Sequence, residues 1–172
     1  MALRRFFDRY LVLLTLIPVL AVMIAIFGFS SQNGEESGSL SAKVTEAVIR
    51  IVYPGYGLLG ESEQEVLFER TAHIVRKAAH FTEFGALGFF LLGHFRALAL
   101  KTSLRHPVPG AFATGFLYAV SDEFHQGFVG GRSPGVLDVG IDSAGVLFGI
   151  LLMALILHLF RRGKAKPEKN KE

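Results

Sequence analysis

The apolar residues of this chain come in four blocks rather than at the periods of a half-buried helix or strand, and no other feature restricts the fold as strongly. Residues 10–29 run for about 20 positions without a charge, the length that crosses roughly 30 Å of hydrocarbon. A second block covers residues 84–95 and extends to Leu100, a third covers 108–120, and a fourth covers 136–160. The chain is 51% hydrophobic and 19% charged, below the roughly 25% charge usual in a soluble domain. These blocks predict an all-α integral membrane bundle of four transmembrane helices. One domain over residues 1–160 accommodates them, and residues 161–172 read as a basic, disordered cytoplasmic tail.

Basic residues set the orientation. Arg4, Arg5 and Arg9 precede the first block, Arg96, Lys101 and Arg105 follow the second, and six more follow the fourth. Together they make twelve of the 18 Lys and Arg residues. The positive-inside rule places these three segments, and therefore both termini, in the cytoplasm. A net charge of +3 then reflects topology, and no nucleic-acid partner is expected. The basic N-terminus before an apolar run resembles a signal peptide. The run is longer than the usual apolar region of such a peptide and no A-x-A site follows, so an uncleaved span is expected. Cysteine is absent, which excludes disulfides, thiolate ligands and a cysteine nucleophile.

The external connection, residues 30–75, carries two amphipathic stretches. Val44, Ala47, Val48, Ile51 and Val52 form one, stopped at Tyr53-Pro54-Gly55. Ser62-Glu63-Gln64-Glu65 is a capping-box pattern that would start the other at about Glu63. Both are expected to lie on the outer membrane surface or to cover the bundle.

Polar groups gather at the outer ends of three spans. His73, Arg76, His80 and Glu83 fall within roughly an 80° arc of one helix face, with Lys77 beside them. The third block has only 13 residues, about 20 Å of helix, so its span must continue through Asp122, Glu123, His125 and Gln126. A glycine-rich reversal at residues 130–135 carries Arg132. The fourth span opens with Asp138 and Asp142 at i, i+4, and Gly145 and Gly149 continue that face at a spacing that admits a close neighbour.

Ionisable groups inside a membrane are expensive and mark functional sites by default. Here Glu83, Asp122, Glu123, Asp138 and Asp142 outnumber Arg76, Lys77 and Arg132, an imbalance that a divalent cation or protonation would offset. The mixture of His and carboxylate suits Zn²⁺ or Mn²⁺ if a metal is present, and the cations suit a phosphate or pyrophosphate. Each group also has a structural use. A histidine in a span serves as a hydrogen-bonded packing residue, Asp138 and Asp142 can pair with Arg132 and Arg76, and Glu123 and Lys77 can face interfacial water. No G-x-S-x-G, H-E-x-x-H or P-loop is present.

The order Arg76-Lys77-x-x-His80-Phe81-x-Glu83-Phe84-x-x-Leu87-Gly88 resembles the second-span motif of the VanZ-like family. Ser121-Asp122-Glu123-x-His125-Gln126-x-Phe128-x-x-Gly131-Arg132, followed by Asp138-x-x-x-Asp142-x-x-Gly145, resembles its second motif. Phe29-Ser30-Ser31-Gln32 is similar to the short sequence that follows the family's first span. The family is named for a membrane protein linked to teicoplanin resistance. The resemblance therefore implies a multi-pass protein of the bacterial cytoplasmic (inner) membrane connected to the cell envelope, without supplying a reaction.

The leading expectation is an outward-facing pocket for an anionic lipid or lipid-linked envelope precursor. His80 and His125 would be acid/base groups or metal ligands, and Glu83, Asp122, Asp138 and Asp142 bases or ligands. Arg76, Lys77, Gln126 and Arg132 would bind the substrate. The alternative is a non-catalytic scaffold or partner-binding protein whose polar network holds the bundle together. A transporter fits less well, because the inner halves of the spans offer no polar path at the midplane.

Overall fold

Each of the four apolar blocks folds as helix, but the helices extend well beyond the blocks. The computed structural model describes residues 2–32, 34–131 and 135–164, and among these it is all-α, with no strand. Helix α1 spans Ala2–Ser30, α2 Gly34–Val52, α3 Glu61–Ala99, α4 Pro107–Gln126 and α5 Val136–Lys164. Helix α2 stops before Tyr53, where the ring of Pro54 disfavours helical backbone in the preceding residue. A single 3-10 turn at Tyr56–Leu58 leads into α3.

Helix α3 is one continuous 39-residue rod that includes the second external stretch and the second block. Its start differs from the expected one. Gly60 is the N-cap and the Glu63 carboxylate accepts the Gly60 N–H at 3.1 Å, so Ser62 lies inside the first turn rather than capping it. Pro107 opens α4 at the first helical position, where its missing N–H has no intrahelical partner to lose. Helix α5 continues through Lys164, and the remainder of the expected tail, residues 165–172, lies outside the described residues.

The α3 rod is the hub of the bundle, packing most extensively on α5 and also on α1, α4 and α2. Small residues make the α3–α5 contact possible. A Cβ on Gly149 would strike the carbonyl of Gly85, one on Gly145 that of Phe81, and one on Gly88 the backbone of Val146. The Gly145-x-x-x-Gly149 spacing thus brings two backbones together, as its pattern predicts. Around this contact lies a core that includes Phe84, Leu87, Leu91, Val146 and Ile150, closed by Val19 and Ile26 of α1 and Ala111 and Ala119 of α4.

Among the described residues, two stretches, Tyr10–Ser30 and Val136–Arg162, are long and apolar enough to cross a membrane by length and composition. Both keep broad apolar faces exposed, with Ile17, Ile24 and Phe27 on α1 and Phe148, Leu151 and Leu155 on α5. Contiguous apolar surface of this kind marks contact with lipid or with another protein.

Candidate functional site

The C-terminal ends of α1 and α4, the N-terminal end of α5 and the first half of α3 meet at one end of the bundle. Because α1 and α4 run antiparallel to α3 and α5, residues far apart in sequence converge there. A cavity of about 230 Å³ opens at this end. It is walled by His73, Arg76, Lys77 and His80 of α3, by Glu123 and Gln126 of α4 and by Asp138 and Asp142 of α5, with Gly131 at its rim. Gly131 has φ 76°, a left-handed conformation that glycine adopts without strain.

Charges in the cavity wall are arranged unequally. Lys77 and Asp138 form an ion pair. Arg76 pairs with no carboxylate among the described residues. His80 Nδ1 lies 3.8 Å from Asp142 Oδ1, and Asp142 is only 1% exposed. Asp122, 4% exposed, accepts hydrogen bonds on Oδ2 from Ser30 Oγ at 2.8 Å and from Gln126 Nε2 at 2.9 Å. One donor atom from each of His80, Asp122 and Asp142 lies within 4.8 Å of the others. These are the residues whose chemistry suits a cation.

Most of the site residues expected from the sequence are gathered here. His80, Asp138, Asp142, Arg76, Lys77 and Gln126 line the cavity, and Asp122 stands beside it in the group with His80 and Asp142. Glu83 is placed differently. It lines an apolar groove of about 660 Å³ between α2 and α3, walled by Val44, Val48, Val75 and Ala79, which shares Arg76 and His80 with the polar cavity. His125 faces α1, where its Nε2 lies 3.1 Å from Ser31 Oγ and its ring stacks on Phe27 at 4.6 Å. Arg132 lies outside the described residues.

Glu123 does not face interfacial water as the sequence allowed. It is 6% exposed, and its Oε1 accepts the Gly135 N–H at 2.6 Å, which ties the loop after α4 back onto that helix. Ser30 is a polar partner that helix phase alone could not supply, since it belongs to the end of an apolar span. The Phe29-Ser30-Ser31-Gln32 segment was its signal, and both serines meet α4 there. His73 shares the face of His80 in the sequence and likewise lines the cavity.

A family model described as VanZ/LLP1 matches residues 15–158, which include every residue that walls the cavity. No curated protein and no solved structure matches the chain.

Proposed function

The chain belongs to the VanZ/LLP1 family, and from that premise we propose that it binds the anionic head group of an envelope lipid or lipid-linked precursor at the outer face of the bacterial cytoplasmic membrane. In this reading α1, α3, α4 and α5 supply four spans, with both termini cytoplasmic. Helix α2 and the start of α3 form the external cover. Family membership connects the protein to the cell envelope, and glycopeptide resistance of the teicoplanin type is one role in which such binding would matter.

The observation that carries this reading is the shared wall between two unlike spaces. Arg76 and His80 line both the polar cavity and the apolar groove. A molecule with a charged head and a hydrocarbon chain fits that juncture, with its phosphate against Arg76 and its chain along α2 and α3. A guanidinium suits a phosphate because its fork of donors matches the oxygens. His80, Glu83 and the carboxylates of α4 and α5 are then placed to move protons at the head group if the bound molecule is also transformed.

Lipid identification by mass spectrometry of purified protein tests the proposal. The wild type is expected to carry a defined phosphate-bearing lipid that Arg76→Ala loses while keeping its helical content. A second reading, a scaffold without a ligand, draws on the contacts of Asp122 with Ser30 and of His125 with Ser31, which fasten α4 to α1. Identical lipid profiles for the wild type and Arg76→Ala would replace the first reading with the second.

A further inference from the structure

Two buried carboxylates at the polar end each keep one oxygen without a hydrogen-bond partner among the described residues, namely Asp122 Oδ1 and Asp142 Oδ2. Leaving such an oxygen unmet inside a bundle costs its full desolvation. The remaining contacts of Asp122 are already assigned, because Ser30 and Gln126 both donate to Oδ2 and leave Oδ1 for something else. The 3.8 Å between His80 Nδ1 and Asp142 Oδ1 is too long for a hydrogen bond. It lies within the spacing available to two atoms bound to one ion at about 2.0–2.2 Å.

The geometry points to a divalent-cation site formed by His80, Asp122 and Asp142, taking a first-row ion such as Mn²⁺ or Zn²⁺. Since their donor atoms already lie within 4.8 Å of one another, side-chain movements of about half an ångström bring all three to bonding distance. One imidazole nitrogen with two carboxylates suits these ions better than a soft, thiolate-seeking one. Asp138 is not part of the set, because Lys77 already neutralises it. Ser30 and Gln126 act as the outer partners that orient Asp122, the usual support for a ligating carboxylate. His80 and Asp142 also wall the cavity, so a coordination position not taken by protein faces that space. An ion there would hold an anionic group jointly with Arg76. That role rests on the head-group reading, whereas the site itself stands on the three residues.

The test is a titration of detergent-purified, chelator-stripped full chain with Mn²⁺, followed by electron paramagnetic resonance. Stoichiometric binding by the wild type is expected, with a ¹⁴N coupling from a single imidazole. Asp142→Asn and Asp122→Asn should weaken binding by more than about 100-fold, because even outer partners of a metal ligand contribute 10- to 100-fold. Ser30→Ala should weaken it by about 10-fold, and His158→Gln, at the opposite end of α5, should not change it. Substoichiometric binding by the wild type, absence of the ¹⁴N coupling, or equal affinity in folded Asp142→Asn would each overturn the site. The first two outcomes are read on the wild type, so they decide the matter even if a variant does not fold. Retained Mn²⁺ binding in a protein whose lipid profile ignores Arg76→Ala would leave the ion site standing and remove only the head-group reading.

Discussion

Around residues 77–80 and 138–142 the α3–α5 interface is polar and hollow, while at residues 81–88 and 145–149 the same two helices touch backbone to backbone. The halves join within one turn: Asp142 stands three positions before Gly145, and His80 immediately precedes Phe81, whose carbonyl Gly145 meets. Close helix contact in an apolar bundle comes from small residues that let backbones approach, with no help from burying apolar surface away from lipid. The dry half therefore sets the distance between the axes, and the polar half inherits it. That inheritance explains how His80 and Asp142 can stand near one another without a direct hydrogen bond. It also makes opposite demands on the two halves, since the dry half cannot accept volume and the polar half cannot lose its polar partners.

The largest effect should come from adding a single methyl group to the dry half. In Gly149→Ala the new Cβ would collide with the Gly85 carbonyl and would lie 2.7 Å from Phe89 N, and backbone atoms cannot swing aside as a side-chain tip can. A loss of about 3 kcal/mol, the upper part of the range for overpacking, is expected in denaturant unfolding in detergent micelles. Ion and lipid binding should fall with it, because the helices above the contact would spread. A folded, fully stable Gly149→Ala would show that the dry half does not set the spacing.

Next in size is Asp122→Ala in the polar half. It removes the acceptor of two buried hydrogen bonds, from Ser30 Oγ and Gln126 Nε2, which still lie 3.4 Å from one another. About 1–3 kcal/mol is expected for the loss of two buried hydrogen bonds, in the same unfolding measurement. Asp122→Asn should lose less stability, since its amide oxygen can still accept, yet it should lose the cation as fully. If Asn and Ala variants were equally destabilised, shape rather than hydrogen bonding would govern this end.

The two halves were not equally legible in the sequence. The dry half was readable because Gly145 and Gly149 recur on one face and a backbone contact needs nothing more than that spacing. The polar half was readable on α3 and α5, where His80 shares one arc with His73 and Arg76, and Asp138 and Asp142 stand at i, i+4 on the face that Gly145 and Gly149 continue. On α4 the reading was harder. Consecutive residues there are 100° apart, so Gln126 can wall the cavity while His125 turns to α1, and only the position of Ser31 and Phe27 decides between them. Glu123 depended on a partner twelve residues ahead, the Gly135 N–H, in a loop whose path hydropathy does not encode. The start of α3 was offset by two residues because Ser62-x-x-Glu65 and Gly60-x-x-Glu63 overlap, and the backbone used the second.

The smallest effect belongs to the charge pair at the rim. Lys77 and Asp138 are ion-paired, but their side chains remain 29% and 19% exposed. Pairs that retain water contact contribute about 0–1 kcal/mol, since the attraction is screened and holding a long lysine in one conformation costs entropy. Lys77→Met keeps the hydrocarbon stem and removes the charge, so a change below about 1 kcal/mol is expected in the unfolding assay. A loss as large as that expected for Gly149→Ala would break the contrast between the halves. It would mean that the rim pair, and not the glycine contact beneath it, holds α5 against α3.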